Sequence, residues 1–241
     1  VYYQVLGGRG EFLSGERELP TPPEEEVAVP GEVRLRHTAV GLNYIDTYHR
    51  RGIYPVPLPA PLGVEGAGVV EAVGPGVTDF VPGDRACTFG PLPGSYATAR
   101  NLPAAQLLHT PATVSDELAA TALLKGCTAE FLVERCARVA PGDTVLVHAA
   151  AGGVGLLLVQ WLRHLGARVI GTVSTPEKAA LARAAGAEAV IVTRTAWQGL
   201  TGPAAIAPQV REWTDGAGVR VSFDGVGMDT WEASLDSTAR C

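Results

Sequence analysis

Apolar and polar positions follow two different rhythms along this chain. Over roughly the first 110 residues, short strand-like runs at 27–29, 32–40, 66–73 and 84–89 are broken by turn sequences such as Gly74-Pro-Gly76 and Pro82-Gly-Asp84. Such runs between glycine and proline punctuation predict a small β-rich domain, a partly closed barrel, over 1–113. Residues 43–51 carry enough spacing for one or two helical turns before Gly52. From Ser115 the period lengthens. Ser115 starts a helix with Glu117 in its first turn, and 121–133 reads as mostly apolar helix. Strand and helix then alternate: strands at 144–149, 168–173, 189–192 and 219–224, helices at 154–165, 177–185 and near 205–214. That order predicts an α/β domain over 114–241, a doubly wound parallel sheet with helices on both faces.

Thr144-Val-Leu-Val-His-Ala-Ala-Ala-Gly-Gly-Val-Gly155 adds chemistry to this pattern, because it reads as a buried strand running into a glycine-rich turn and a helix. Ala150, Gly152 and Gly155 occupy the three small positions of a dinucleotide fingerprint. They serve a tight turn, close approach of backbone to pyrophosphate, and close helix packing. Leu157, Leu158, Trp161, Leu162 and Leu165 then recur at helical spacing, and Gly166 caps the end. The phosphates are expected on the helix N-terminus.

Such a domain places an acid at the tip of its second strand when it selects NAD. Here that strand ends Gly171-Thr-Val-Ser-Thr-Pro-Glu-Lys178, with the hydroxyls of Ser174 and Thr175 and the cation of Lys178 in place of the acid. A 2′-phosphate suits that set, so NADPH is expected over NADH. Ser174, Thr175 and Pro176 also read simply as a helix start, with Thr175 as N-cap and Pro176 at N1, and the two readings hold together.

Apolar residues make up 46% of the chain and charged residues 18%, as in globular proteins. The net charge of −6 argues against a general nucleic-acid or membrane-surface binder. No uncharged apolar run reaches membrane-spanning length. Cys87, Cys127, Cys136 and Cys241 lie far apart, without zinc-cluster spacing, which fits a reducing cytoplasm. Of 19 basic residues only Lys125 and Lys178 are lysines, and both fall near proposed cofactor elements. A complete dinucleotide sheet has about six strands, whereas about four are legible before Cys241, and the chain begins at Val1 rather than Met. A fragment, or a chain lacking a C-terminal segment, is expected.

Seven ordered motifs make the chain similar to a known family. They are Gly41-Leu-Asn-Tyr-Ile-Asp-Thr-Tyr48, Gly52-Ile-Tyr-Pro55, Gly63-Val-Glu-Gly-Ala-Gly68, Pro82-Gly-Asp-Arg85, Leu124-Lys-Gly-Cys-Thr128, His148-Ala-Ala-Ala-Gly-Gly-Val-Gly155 and Asp224-Gly-Val-Gly-Met-Asp-Thr-Trp231. Together they resemble the zeta-crystallin-like NADPH:quinone oxidoreductases, in the zinc-free branch of the medium-chain dehydrogenase/reductase superfamily. The resemblance implies a chaperonin-10-like β-barrel domain followed by a Rossmann domain, a homodimer where the C-terminal segment is present, and small-molecule quinone substrates without nucleic-acid partners. Zinc-dependent members carry Cys and His where this chain has Asn43 and Val64, beside Glu65. A reaction without a Lewis-acid metal is therefore implied, with acceptors that take a hydride readily.

The resemblance also assigns roles. Asn43 is expected near the nicotinamide or its ribose, or else as a turn asparagine serving its own backbone. Tyr48 and Tyr54 are expected to line the substrate pocket, where a phenol can stack on a quinone and donate to a developing oxyanion. Asp46 has a plainer reading as a capping or buried acid. Lys125, Thr128, Gly152, Gly153, Val154, Gly155, Ser174 and Lys178 match the dinucleotide contacts, and His148 reads as structural. Relatives carry an aromatic residue just before Arg194, where this chain has Thr193, so either a looser adenosine grip is expected or Arg194 compensates by pairing with the 2′-phosphate. Two rivals stay open: an enone or enoyl-thioester double-bond reductase, and a cofactor-binding protein without turnover, crystallin-like or RNA-binding.

Overall fold

The computed structural model describes residues 29–240, and the chain divides after Leu124 into two compact units. The expected strand at 27–29 lies, except for Val29, outside the described residues.

In the first unit, β1 (Glu32–Gly41), β2 (Glu65–Val73), β3 (Arg85–Phe89), β4 (Ala99–Pro103) and β5 (Leu108–His109) form an antiparallel sheet in the order β4-β1-β2-β3-β5. Alternation in β1 sends Val33 and Leu35 into a core with Val70, Phe80, Ala86, Leu102 and Leu107. Arg34 and Arg36 point the other way, and both reach Glu71 on β2. A short helix α1 (Tyr44–Arg50) follows β1, shorter than the 43–51 read from the sequence, with Asn43 as its N-cap. β4 and β5 have no counterpart in the sequence reading: one is Ala-Arg-Asn-Leu-Pro, too polar to alternate, and the other has two residues.

Helix α2 (Asp116–Glu130) starts where Ser115 predicts, with the Leu118 N–H donating to the Ser115 hydroxyl at 3.2 Å. Its first residue, Asp116, accepts from the Arg85 guanidinium at 2.6 Å and from the Thr38 hydroxyl at 2.6 Å. Beyond Glu130 the helix does not continue in α form to Val133 as its apolar pattern suggests. It widens into a π-helical segment, Phe131–Ala137, closed by Arg138 in the left-handed region at φ 50.

The second unit contains β6 (Thr144–Val147), α3 (Gly153–His164), β7 (Arg168–Val173), α4 (Pro176–Ala185), β8 (Ala189–Val192), α5 (Ile206–Trp213), β9 (Val221–Phe223) and α6 (Trp231–Ser237). Its strands are parallel, in the order β8-β7-β6-β9. Both faces are covered, which is why β6 reads as an unbroken apolar run. Val145, Val147, Val169 and Val173 pack against Leu158, Val159, Leu162, Ala179 and Ala182, whereas Leu146, Ile170 and Ile191 pack against Ile206, Val210 and Ala233 on the other face. The sequence of α6, Trp231-Glu-Ala-Ser-Leu-Asp-Ser237, shows little apolar period, so its own pattern does not mark it as a helix. From β6 the chain winds out to β7 and β8, and it later returns to β9 on the other side of β6. The strand order therefore reverses beside β6, and the crevice at the carboxyl ends of such strands is where open α/β sheets bind ligands.

Candidate active site

The loop leaving β6 is shaped by backbone sterics. His148 continues the strand, and Ala149 then turns through φ 49, a left-handed conformation that costs a non-glycine residue about 1 kcal/mol. That turn places the Ala149 carbonyl to accept from the Gly152 N–H at 2.8 Å. Helix α3 begins at Gly153 with Gly152 as an extended N-cap, and no side chain caps it. The amides of its first turn are therefore left to solvent or to an anion. Gly155 is buried against the loop: a Cβ there would run into the Ala149 carbonyl oxygen and lie 2.9 Å from the Ala150 Cα. Ala150 is wholly buried, and its N–H donates to the Thr172 carbonyl at 2.9 Å.

Beside this loop lies a cavity of about 680 Å³, whose lining includes Gly152, Thr172, Ser174, Lys178, Arg194 and Thr230. Lys178 Nζ donates to Ser174 Oγ at 3.2 Å, so the two residues read from the sequence as a pair are a pair in space. Thr175 caps α4 by accepting from the Lys178 N–H, with Pro176 at N1, as the local pattern requires. The Glu177 carboxylate turns back to the Thr175 hydroxyl and its own N–H, which lower its pKa. Thr193 donates its hydroxyl to the Val173 carbonyl at 3.2 Å, tying β8 to β7, while Arg194 is exposed at the cavity. Lys125 does not line this cavity; its methylenes lie over Gly153, where a Cβ would meet Cδ at 2.9 Å. Thr128, Gly153, Val154 and Gly155 also lie outside the cavity lining.

Behind the cavity runs a polar network that the sequence reading did not assemble. The Asp224 carboxylate accepts from the N–H groups of Val226 and Gly227 at 2.9 Å, from the Thr230 hydroxyl at 2.8 Å and from the Ser234 hydroxyl at 2.6 Å. Burial alone would raise the Asp224 pKa, but the Gly227 amide, the Ser234 and Thr230 hydroxyls and the Val226 amide together hold it at about 2. Ser234 Oγ lies 3.0 Å from His148 Nε2, and His148 Nδ1 lies 3.1 Å from Thr172 Oγ1. Burial lowers the His148 pKa, against a smaller opposing pull from Asp224. His148 is thus a core histidine with both nitrogens engaged. Asp224, Thr230 and Ser234 follow β9 at spacings of six and four residues, a signal that becomes legible only once α6 is known to fold back.

A pH dependence follows. The Asp224 pKa is depressed in the folded state relative to an ordinary aspartate near 3.8, so its stabilisation is present above that value and is lost as pH falls towards 2. Urea unfolding between pH 5 and pH 2.5 should show a decline that Asp224→Asn flattens by about 1 kcal/mol, a figure already reduced for solvent screening. Equal slopes in the two proteins would remove Asp224 from the account.

In the first unit, Asn43 is buried, and its side-chain nitrogen donates to Glu65 Oε2 at 2.8 Å, while its backbone N–H donates to Asp46 Oδ2 at 2.9 Å. Asp46 also accepts from the Tyr96 hydroxyl at 2.7 Å, which fits the plainer reading of a buried capping acid. Glu65 is fully buried and accepts the Leu124 N–H at 2.7 Å through Oε1. Tyr48 stands on α1 with its ring edge-on to both Tyr44 and Tyr54, each at 5.3 Å between centroids. Tyr44 and Tyr54 are exposed, so the cluster presents aromatic surface to solvent.

Residues 29–133 match the family described as the alcohol dehydrogenase GroES-like domain, and residues 153–240 match that described as zinc-binding dehydrogenase. A quinone oxidoreductase from Pseudomonas aeruginosa is 49% identical over 242 residues, covering 99% of this chain and 70% of the relative. A 2-haloacrylate reductase from a Burkholderia species is 47% identical over 237 residues, covering 95% and 67%. The crystal structure of Escherichia coli quinone oxidoreductase complexed with NADPH superposes with a TM-score of 0.84 at 42% identity, covering 91% of this chain and 64% of that one. The chain belongs to the quinone oxidoreductase family of the medium-chain dehydrogenase/reductase superfamily, a family of oxidoreductases. The residues do not fit the zinc that one of the matched descriptions names. Val64 has no donor atom, the Asn43 amide nitrogen is committed to Glu65, and among the described residues no group of three His, Cys, Asp or Glu side chains is placed to hold a metal.

Proposed function

We propose that this protein is an NADPH-dependent reductase of quinones that works without a metal, with residues 1–113 carrying the substrate side and residues 114–241 the dinucleotide side. The observation that carries the cofactor choice is the Lys178 ammonium hydrogen-bonded to Ser174 at the tip of β7, beside Arg194 on the same cavity. A cation paired with a hydroxyl suits a 2′-phosphate, and the Glu177 carboxylate near that tip is turned to the Thr175 hydroxyl and its own N–H. The cavity is of a size to take an adenosine moiety, and the uncapped start of α3 offers amides for pyrophosphate. When bound, NADPH supplies the hydride. Gly152, Gly153, Val154 and Gly155 hold the pyrophosphate, with Lys125 and Thr128 on α2 as further cofactor contacts. On the substrate side Asn43 is held rigid by Glu65, and Tyr48 and Tyr54 offer a stacking surface and phenol donors for charge that builds on a carbonyl oxygen.

Lys178→Ala should weaken NADPH binding by about 10- to 100-fold while leaving NADH binding unchanged, as followed by nicotinamide fluorescence. An equal loss for both cofactors would refute the assignment of the 2′-phosphate. A second reading, reduction of an activated carbon–carbon double bond, is favoured by the likeness to a 2-haloacrylate reductase. Turnover of a simple enone without turnover of benzoquinone would select it. Among the described residues no helix is long and apolar enough to cross a membrane. We place the enzyme in the cytoplasm, and as a homodimer where the C-terminal segment is present; sedimentation of a protein carrying that segment tests the dimer.

A further inference from the structure

We infer that Asp224 sets the direction of a hydrogen-bond relay through Ser234 and His148 to Thr172, so that the hydroxyls of Thr172 and Thr230 meet the cofactor cavity as acceptors only. Each hydroxyl has one proton to give. An ionised carboxylate has none, so Thr230 and Ser234 both donate to Asp224, at 2.8 and 2.6 Å. With its proton spent, Ser234 Oγ accepts from His148, which requires the proton on Nε2. Burial keeps the imidazole neutral at pH 7, so Nδ1 is left as a lone pair and Thr172 donates to it. Thr172 and Thr230 both line the cavity, and both have their protons turned away from it. A ligand group that meets either oxygen must therefore donate, as a ribose hydroxyl or an amide nitrogen does and a phosphate does not. Lys178 and Arg194 supply the opposite polarity on the same lining. The lining thus sets two cations and two hydroxyls that can only accept beside the Asp229 carboxylate, a set that favours one orientation of a bound nucleotide over its reverse. Asp224, Ser234 and His148 act here as positioning residues, and the inference rests on the NADPH reading only for the identity of the ligand.

Asp224→Asn should reverse the relay. The amide nitrogen would donate to Ser234, which would donate to His148 Nε2, moving the imidazole proton to Nδ1 and freeing the Thr172 proton to point into the cavity. Long-range 1H–15N spectra of the imidazoles distinguish protonated from unprotonated ring nitrogens, and His148→Gln assigns the signal among the five histidines. The expected result, on the protein without ligand, is Nε2 protonated in the wild type and Nδ1 protonated in Asp224→Asn, with the NADPH dissociation constant raised about tenfold in the variant. If Asp224→Asn does not fold, Ser234→Ala breaks the relay at its centre, and the strict preference for Nε2 should be lost. A wild-type His148 protonated on Nδ1, or a tautomer unchanged in both variants, would overturn the relay. A reversed tautomer with unchanged NADPH affinity would overturn its positioning role. Failure of the wild type to bind NADPH, by contrast, would count against the cofactor reading and leave the tautomer result standing.

Discussion

Gly155→Ala should abolish measurable NADPH binding, with affinity reduced by more than about 100-fold, and destabilise the protein by about 3 kcal/mol. The residue lies in the first turn of α3, at a φ that any amino acid tolerates, so backbone conformation is not the cause. The cause is space. An added Cβ would enter the Ala149 carbonyl oxygen and approach the Ala150 Cα to 2.9 Å, and both obstacles are backbone. Ala149 cannot yield easily, because its left-handed turn and its carbonyl bond to the Gly152 N–H define the loop. Helix α3 would have to lift from β6, carrying its amides away from the pyrophosphate. Gly153→Ala is the internal control. Its new Cβ meets the Lys125 methylenes at 2.9 and 3.0 Å, and that flexible side chain can swing aside, so the loss should stay under about 1 kcal/mol. Thermal unfolding of the two variants separates the cases, and equal losses of stability would refute the steric account.

The same contrast shows what the sequence can and cannot disclose. Gly155 was legible because a buried strand, a turn and a helix in that order leave few ways to pack, and hydrophobic period alone placed β6, α3, β7, α4 and β8 to within one or two residues. Ser174 and Lys178 were legible because helix capping fixes their spacing at one turn, which is the distance their side chains bridge. The relay was not legible. His148, Thr172, Asp224 and Ser234 belong to four elements, and only the parallel pairing of β9 with β6, together with the return of α6, brings them together. Pairing of strands distant in sequence leaves no local signature, and the polar members of such a network look like loop residues when read singly. For the same reason β4 and β5 escaped notice. Each is held by a neighbour, β1 or β3, rather than by its own alternation.

Glu65→Ala should cost about 4 kcal/mol, the largest loss of stability expected from a single side chain in the first unit. Glu65 is inaccessible to solvent at the start of β2. Its Oε2 takes the amide of Asn43, at the N-terminus of α1, and its Oε1 takes the backbone N–H of Leu124 in α2. One carboxylate thus ties α1 to β2 and α2, which Ala67, Ala119 and Ala120 already pack together. Gly41 leaves room for it: a Cβ there would run into both Glu65 and the Ala120 carbonyl oxygen. Truncation would leave two donors without their acceptor and a void of the size of the lost side chain, and each costs on its own. Glu65→Gln keeps the volume but turns one acceptor into a donor facing a donor, so a loss of about 2 kcal/mol is expected. Urea unfolding measures both variants. The functional consequence is separable, because Asn43 would lose its fixed orientation in Glu65→Gln while the dinucleotide loop, built in the other unit, would not change. Quinone turnover should fall about tenfold in Glu65→Gln, with a smaller loss of NADPH affinity. A variant as stable and as active as the wild type would show that Asn43 needs no such support, and would return Glu65 to the role of a passive core residue.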